Sequence, residues 1–433
     1  MTFLARKKAK RAGSSIAMAI ALMTGAAVGV TALETPAYAQ KKRDKEDKPS
    51  YSKGFIAAYT PVNEALNAEA KDEAAIRAGI PAMIAAIEND DDKNAAGGIL
   101  NNIGVALDDR ALMRQGINMM LESGKVAPER LGQFYYTAGQ LAYNDDDFQV
   151  AREQLSKADA AGYTGMDLVP VIADTYFQQE QYGEGLAYMK GRIDAKLQAG
   201  EKPPEDWLKR GVANAYNNDM AAEAVEFSAM YARHYPSDTS WKDAINIQRN
   251  LFLYENPELL DLMRLADKTN TMVQLRDYVD YVDAANVLRF PGEVKRIIDK
   301  GVASGVVDPS ETLIAETLRS ANARIAADKA DLAGLESDAR AAGASGSLVA
   351  GAGDAFLAYE MGDKAEAMYE IALTKPGADT ARLNTRLGIA QLLQGKVAEA
   401  QETFAKVDGK RAPIARLWSV YAEIQGAGAA GTM

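Results

Sequence analysis

The chain has 433 residues, 48% hydrophobic and 25% charged, with a formal net charge of −11, no cysteine and one histidine. The missing cysteine excludes disulfides, thiolate metal sites, cysteine nucleophiles and a lipid carried on cysteine. The acidic balance disfavours nucleic acid and anionic membrane surfaces, whose recognition needs a basic footprint. Abundant Ala and Leu, short β-branched runs and prolines falling between helical patterns indicate an all-α chain.

The N-terminus reads as an export signal. Arg6, Lys7, Lys8, Lys10 and Arg11 precede an apolar stretch from Ile16 to about Val30, and Ala37-Tyr38-Ala39 supplies a small-x-small cleavage site. An uncleaved anchor is the alternative, since Ile16 to Leu33 is 18 residues long. The stretch is rich in Ala, Gly and Thr, which favours cleavage over anchoring. Cleavage after Ala39 removes five basic and one acidic residue from 49 and 60, leaving 44 against 59 and a charge of −15. The expected location is the periplasm or the exterior, with no membrane insertion after cleavage.

Residues 40–50 (QKKRDKEDKPS) are too polar to pack and are expected to form a disordered tether. Helical patterns follow at about 53–68 and 71–88, with Pro81 expected to kink or divide the second. Asn89-Asp90-Asp91-Asp92 should cap another pair, about 94–107 and 109–123, with Gly124 as the stop. Residues 51–131 thus read as degenerate helical repeats or an N-terminal cap.

From 132 to 236 the pattern sharpens. Gly139, Ala142, Ala151, Leu155 and Ala158 recur 34 residues later as Ala173, Tyr176, Gly185, Met189 and Arg192. A third copy spans about 205–236, with Ala224 in the tight position and Pro236 ending it, and its register is open by one residue, since Trp207, Gly211 and Phe227 fit better when counted from 204. Residues 237–340 stay helical but drift from the pattern, ending in one or two longer polar helices over 310–340. Ala341 to Ser347 (AAGASGS) reads as a flexible hinge. Gly353, Phe356, Ala365, Tyr369 and Ala372 then recur 35 residues later as Gly388, Gln391, Ala400, Phe404 and Val407. Pro413 to Gln425 should cap the array, so 348–425 holds two repeats and a capping helix, and 426–433 reads as a loose tail.

A small residue, then Ala-x-x-x-aromatic twelve positions on, is how a helical hairpin keeps its two helices close. On these residues the chain resembles bacterial exported tetratricopeptide-repeat proteins, although most copies lack the usual Trp-x-x-Leu-Gly opening. The resemblance implies an α-solenoid with a right-handed superhelix, whose concave face, lined by the first helix of each pair, holds a protein or peptide partner. Carried over copy by copy, the groove positions fall on Tyr136, Gln140, Tyr143 and Asn144, then Asp174, Phe177 and Gln178, then Lys209, Tyr216 and Asn217. Aromatics beside amides suit a peptide groove, but the same rings could instead pack against the next hairpin. Lys209, Arg210 and Asn214 could also supply a fragment of a clamp for a C-terminal carboxylate, though the equivalent positions in the preceding copies are Gln or Asp.

No Walker A, GxGxxG, HExxH or GxSxG pattern is present. Asp90 to Asp92 and Asp145 to Asp147 lack the glycine and glutamate of a calcium loop and read as helix caps. His234, in Arg233-His234-Tyr235-Pro236, reads as a surface residue at a helix end, where the dipole favours a cation. The sequence therefore points to a non-catalytic scaffold without cofactor or metal. Binding or cutting of cell-wall peptidoglycan and a self-associating structural protein are the alternatives.

Overall fold

The computed structural model describes residues 48–430, with side chains through Ala427. The export signal, its cleavage site and most of the tether lie outside the described residues. No described helix is long and apolar enough to cross a membrane.

Among the described residues the chain is all-α, with twenty α-helices and one short 3-10 turn. Its contacts divide into two compact units, one up to Arg192 and one from Ile193 onward. The first unit comprises α1 (Lys53–Asn67), α2 (Glu73–Ala85), α3 (Asp90–Leu107), α4 (Arg110–Glu122), α5 (Pro128–Asn144), α6 (Phe148–Ala160), α7 (Val169–Phe177) and α8 (Tyr182–Gln198), the division falling inside α8. The second comprises α9 (Glu205–Asn217), α10 (Ala221–His234), α11 (Asp238–Leu251), α12 (Asn256–Lys268), α13 (Leu275–Ala285), α14 (Pro291–Ala303), α15 (Thr312–Arg340), α16 (Gly346–Ala358), α17 (Gly362–Leu373), α18 (Thr380–Leu393), α19 (Val397–Phe404) and α20 (Ala412–Ala430).

Consecutive helices pair as hairpins, and one steric device recurs among them. A Cβ added to Gly139 would lie 2.7 Å from Leu155, one at Gly353 2.7 Å from the Tyr369 ring, and one at Gly388 2.5 Å from the Phe404 ring. Each glycine is the hole for a large side chain sixteen residues later, so the backbones approach closely. Gly211 meets Phe227 in the same way, 2.1 Å from an added Cβ, which fixes the third copy in the register counted from 204.

The N-terminal hairpins use glycine differently. In α3 and α4, an added Cβ at Gly116 would meet the Gly97 carbonyl and the Asn101 amide at 2.5 Å, so here backbone meets backbone. Asn89 caps α3 by accepting from the Asp92 amide at 2.9 Å. Asp91 and Asp92 then hold the preceding strand of chain, accepting from the Ser50 and Ser52 amides at 2.8 and 2.9 Å. Asp147 caps α6. Pro81 does not divide α2, which runs unbroken from Glu73 to Ala85. The proline forfeits one ladder bond, and burial of Ile76, Ile80 and Met83 on both sides of it holds the helix together.

In the second unit, of the one or two longer helices expected over 310–340, residues 312–340 form a single helix of 29 residues, α15. Two differences from the sequence pattern follow. Residues 426–430, read as tail, continue α20. And α20 does more than cap the last hairpin: it also packs against α10, α11 and α12 at the beginning of the same unit. Gln248 of α11 donates to the Pro413 carbonyl at 2.9 Å, and the Trp418 indole donates to the Asp261 carbonyl at 2.9 Å. The second unit therefore closes on itself.

Candidate functional site

In the first unit, α5 and α7 are the first helices of neighbouring hairpins. Tyr143, near the end of α5, donates its hydroxyl to the Asp174 carboxylate of α7, and the Gln178 amide donates to the same carboxylate at 3.1 Å. Three of the groove positions thus meet in one polar cluster across two repeats. Burial, reinforced by Asp174, pushes the Tyr143 phenol well above its ordinary pKa, so it stays a donor. Phe177 stacks on Tyr182 with ring centroids 6.3 Å apart, and Tyr143 meets Phe148 edge-on at 5.3 Å. Asn144 is half-buried and Gln178 exposed.

Tyr136 and Gln140 take the packing role instead. Both are buried, at 6% and 3% exposure, and Tyr136 stacks on Tyr163 with centroids 4.4 Å apart. Tyr136, Gln140 and Tyr143 share one face of α5 at spacings of four and seven, and what sets Tyr136 apart is Tyr163, from the loop after α6, which covers it.

In the second unit the remaining groove positions lie on α9. Lys209 is exposed and pairs with Glu205 at 2.6 Å, Asn217 is exposed, and the Tyr216 hydroxyl accepts from the Asn250 amide of α11 at 3.1 Å. Arg210 pairs with Asp206 at 2.5 Å, and Asn214 donates to the Arg210 carbonyl at 2.9 Å. Lys209, Arg210 and Asn214 thus each bond within their own helix.

A polar cleft of about 170 Å³ lies between α11 and α13, lined by Lys242, Asn246, Arg249, Asn250, Gln274, Arg276 and Asp277. Arg249 is spoken for: it holds Asp277 at 2.7 Å and also pairs with Asp280. The Arg276 side chain is 73% exposed and reaches Asp280 only at 3.6 Å. Lys242 has no ion pair among the described residues. The cleft therefore combines a rigid guanidinium-carboxylate floor with amides and two loosely held cations at its mouth. Sequence reasoning missed all seven residues, because they fall where no repeat motif sets the register. Asn246, Arg249 and Asn250, spaced i, i+3 and i+4 on one helix, were the available signal.

The densest cluster of charge lies in the interior of the second unit. Asp261 of α12, fully buried, receives Arg386 of α18 at 3.0 Å, Arg264 at 3.1 Å and Arg411 before α20. Arg264 also grips Glu293 of α14 through two bonds of 2.8 Å, and Arg386 lies 2.6 Å from Asp354 of α16. Tyr281 donates to Glu293 at 2.7 Å and Tyr369 to Asp354 at 2.9 Å. Burial works against the Asp354 charge, but Arg386 and Arg382 outweigh it and hold the carboxyl below its ordinary range. The adjoining cavity, beside Arg264, Tyr281, Arg296 and Trp418, measures about 20 Å³, room for about one water. This cluster has the geometry of a structural hub and no space for a substrate.

His234 is half-buried, which differs from its reading as a surface residue. Burial and then the neighbouring Arg233 hold its imidazole below its ordinary pKa. No group of three or more His, Asp or Glu side chains is placed to hold a metal ion among the described residues.

Hairpins in tandem, with polar and aromatic faces on their first helices, define the class: an all-α array of TPR-like repeats. No protein family and no curated protein matches the chain. Among solved structures, yeast Tom70 is similar at 11% identity over 86% of this chain and 96% of that one, with a TM-score of 0.21. The class rests on the hairpins themselves.

Proposed function

We propose that this protein is an exported, non-catalytic scaffold that holds a peptide segment of a partner protein against the first helices of its hairpins, by equilibrium binding with no covalent step. The observation that carries the reading is the cleft between α11 and α13, where Lys242, Asn246, Asn250 and Gln274 present donors and acceptors over about 170 Å³. A main chain in extended form offers alternating N–H and C=O groups, and side-chain amides can pair with both. The Tyr143, Asp174 and Gln178 cluster is a second polar contact surface of the same kind in the first unit. Export is supported by the cationic start, apolar stretch and Ala37-Tyr38-Ala39 of the sequence, from which we infer a mature protein that begins at Gln40 and works in the periplasm or the exterior.

The test is a pull-down from envelope extract with residues 40–433, run beside the same bait carrying Asn250→Ala and Gln274→Ala. A partner retained by the parent and lost from the variant, with helicity unchanged, supports the cleft. Equal retention by both baits sinks it. The intact mass of the exported protein tests cleavage before Gln40.

A further inference from the structure

The cleft between α11 and α13 has a bias of charge that its amides alone do not show. Three of its lining residues are cations, Lys242, Arg249 and Arg276, and one is a carboxylate, Asp277. The fold itself consumes that carboxylate. Arg249 holds one oxygen at 2.7 Å, and the Val273 and Gln274 backbone amides donate to the other at 3.1 Å. Asp280, three residues further along α13, takes the other arm of Arg249. Arg249, with its side chain only 8% exposed, is thus the closed floor of the cleft.

What remains for a ligand is mostly donors. Lys242 has no ion pair among the described residues, and the largely exposed Arg276 touches Asp280 only at 3.6 Å. Asn246 accepts from Arg249 at 3.3 Å through its side-chain oxygen, which leaves its amino group to donate. Asp243, next to Lys242, does not line the cleft, because successive residues of a helix do not share a face. In a chain of net charge −11, this place therefore sets three cations against two carboxylates that are already bound. Apolar side chains border it as well. Val273 and Leu275, on either side of Gln274, are exposed, and Leu253, three residues past Asn250, is 92% exposed. Exposed apolar residues are ordinary when scattered, but these three adjoin residues of one cleft.

We propose, resting on the reading above that this cleft holds a peptide segment of a partner, that the segment is acidic. An Asp or Glu side chain enters between Lys242 and Arg276, and a large apolar residue beside it lies on Val273, Leu275 and Leu253. A carboxylate only accepts hydrogen bonds, so the ammonium, the guanidinium and the Asn246 amino group all suit it. A Lys or Arg side chain would instead bring a fourth cation to a place with no spare carboxylate. The selected group is a side chain inside the segment, so no free C-terminus is needed.

The test uses three peptides with an uncharged fluorophore, each acetylated and amidated, sharing a Gly/Ser-flanked Leu-X-Leu core in which X is Glu, Gln or Lys. Fluorescence anisotropy with residues 40–433 should rank Glu first, about tenfold tighter than Gln, and Lys last, as two exposed ion pairs allow. Raising the salt from about 0.05 to about 0.5 M should remove most of that difference. In Lys242→Gln with Arg276→Gln, the Glu and Gln peptides should bind alike, whereas Asn250→Ala with Gln274→Ala should weaken both. Equal binding of the Glu and Gln peptides by the parent protein overturns the acidic preference and leaves the peptide cleft standing. A Glu preference that survives Lys242→Gln with Arg276→Gln overturns the assignment to these two side chains. Binding of none of the three overturns this inference together with the reading it rests on. Should the double variant not fold, the order of the three peptides on the parent protein decides.

Discussion

The two units are built from the same hairpin but gather their cores differently. In the first, buried apolar side chains fall into separate clusters: one from Phe55 to Ile103, one around Met113, Ile117 and Phe134, and one around Tyr136, Leu155 and Ile172. In the second, a single cluster runs from Ala229 to Val420. A stack in which each hairpin touches only its neighbours is stabilised link by link and can open link by link. Closing the stack on itself limits that freedom, because α20 cannot leave without breaking its contacts with α10, α11 and α12 as well as those with α19. Asp261 carries that remote contact, reached by Arg386 from 125 residues away and by Arg411 from 150. The lesson is that the repeat sets how two helices meet, while a few buried charges decide whether the array ends or closes.

The largest effect should come from Asp261→Ala. It leaves Arg264, Arg386 and Arg411 buried around a missing carboxylate, and breaking such a pair typically costs about 3–5 kcal/mol. Denaturant unfolding should show the second unit destabilised as one body while protection of amides in the first unit stays at its parental level. Loss of protection limited to α12 would contradict cooperative closure.

Gly116→Ala tests the opposite behaviour. Its Cβ would press on the Gly97 carbonyl and Asn101 amide, and overpacking of this kind costs about 1–3 kcal/mol. Hydrogen exchange should quicken in α3 and α4 and leave the cluster around Tyr136 and Leu155 unchanged. If exchange quickens throughout the first unit, its separate clusters are energetically one.

The smallest effect is expected from Tyr143→Phe, which removes the hydroxyl from Asp174 and keeps the ring on Phe148. The loss should be about 1 kcal/mol, confined to α5 and α7 in the same exchange experiment.

Much of the helical layout was readable in the chain. The recurrence at 139/155, 353/369 and 388/404 marks where a small residue admits a large one, and of the two registers open for the third copy the structure shows the one that pairs 211 with 227. Such pairs are sixteen residues apart, so local spacing suffices to see them. The N-terminal hairpins were harder to read, since α3 and α4 meet through Gly97, Gly104 and Gly116 with no aromatic to mark the partner. Of the groove positions, Tyr143, Asp174 and Gln178 were legible as neighbours because two repeats in phase bring equivalent helix faces together. Tyr136 and Gln140 occupy equally plausible positions on the pattern, and only the structure shows Tyr136 covered by Tyr163 and Gln140 buried. The cleft at α11 and α13 was invisible for want of a register.

The sequence by itself determined the all-α class, the hairpin as the unit of construction and the close approach within the marked hairpins, since each follows from side-chain size at a fixed local spacing. Only the tertiary structure decided that the second unit closes, that Asp261 and Asp354 are buried among arginines, and that Lys242, Asn250 and Gln274 share a cleft. Those contacts join positions whose separation follows no repeat, and helical spacing orients a charge without revealing which distant charge will meet it.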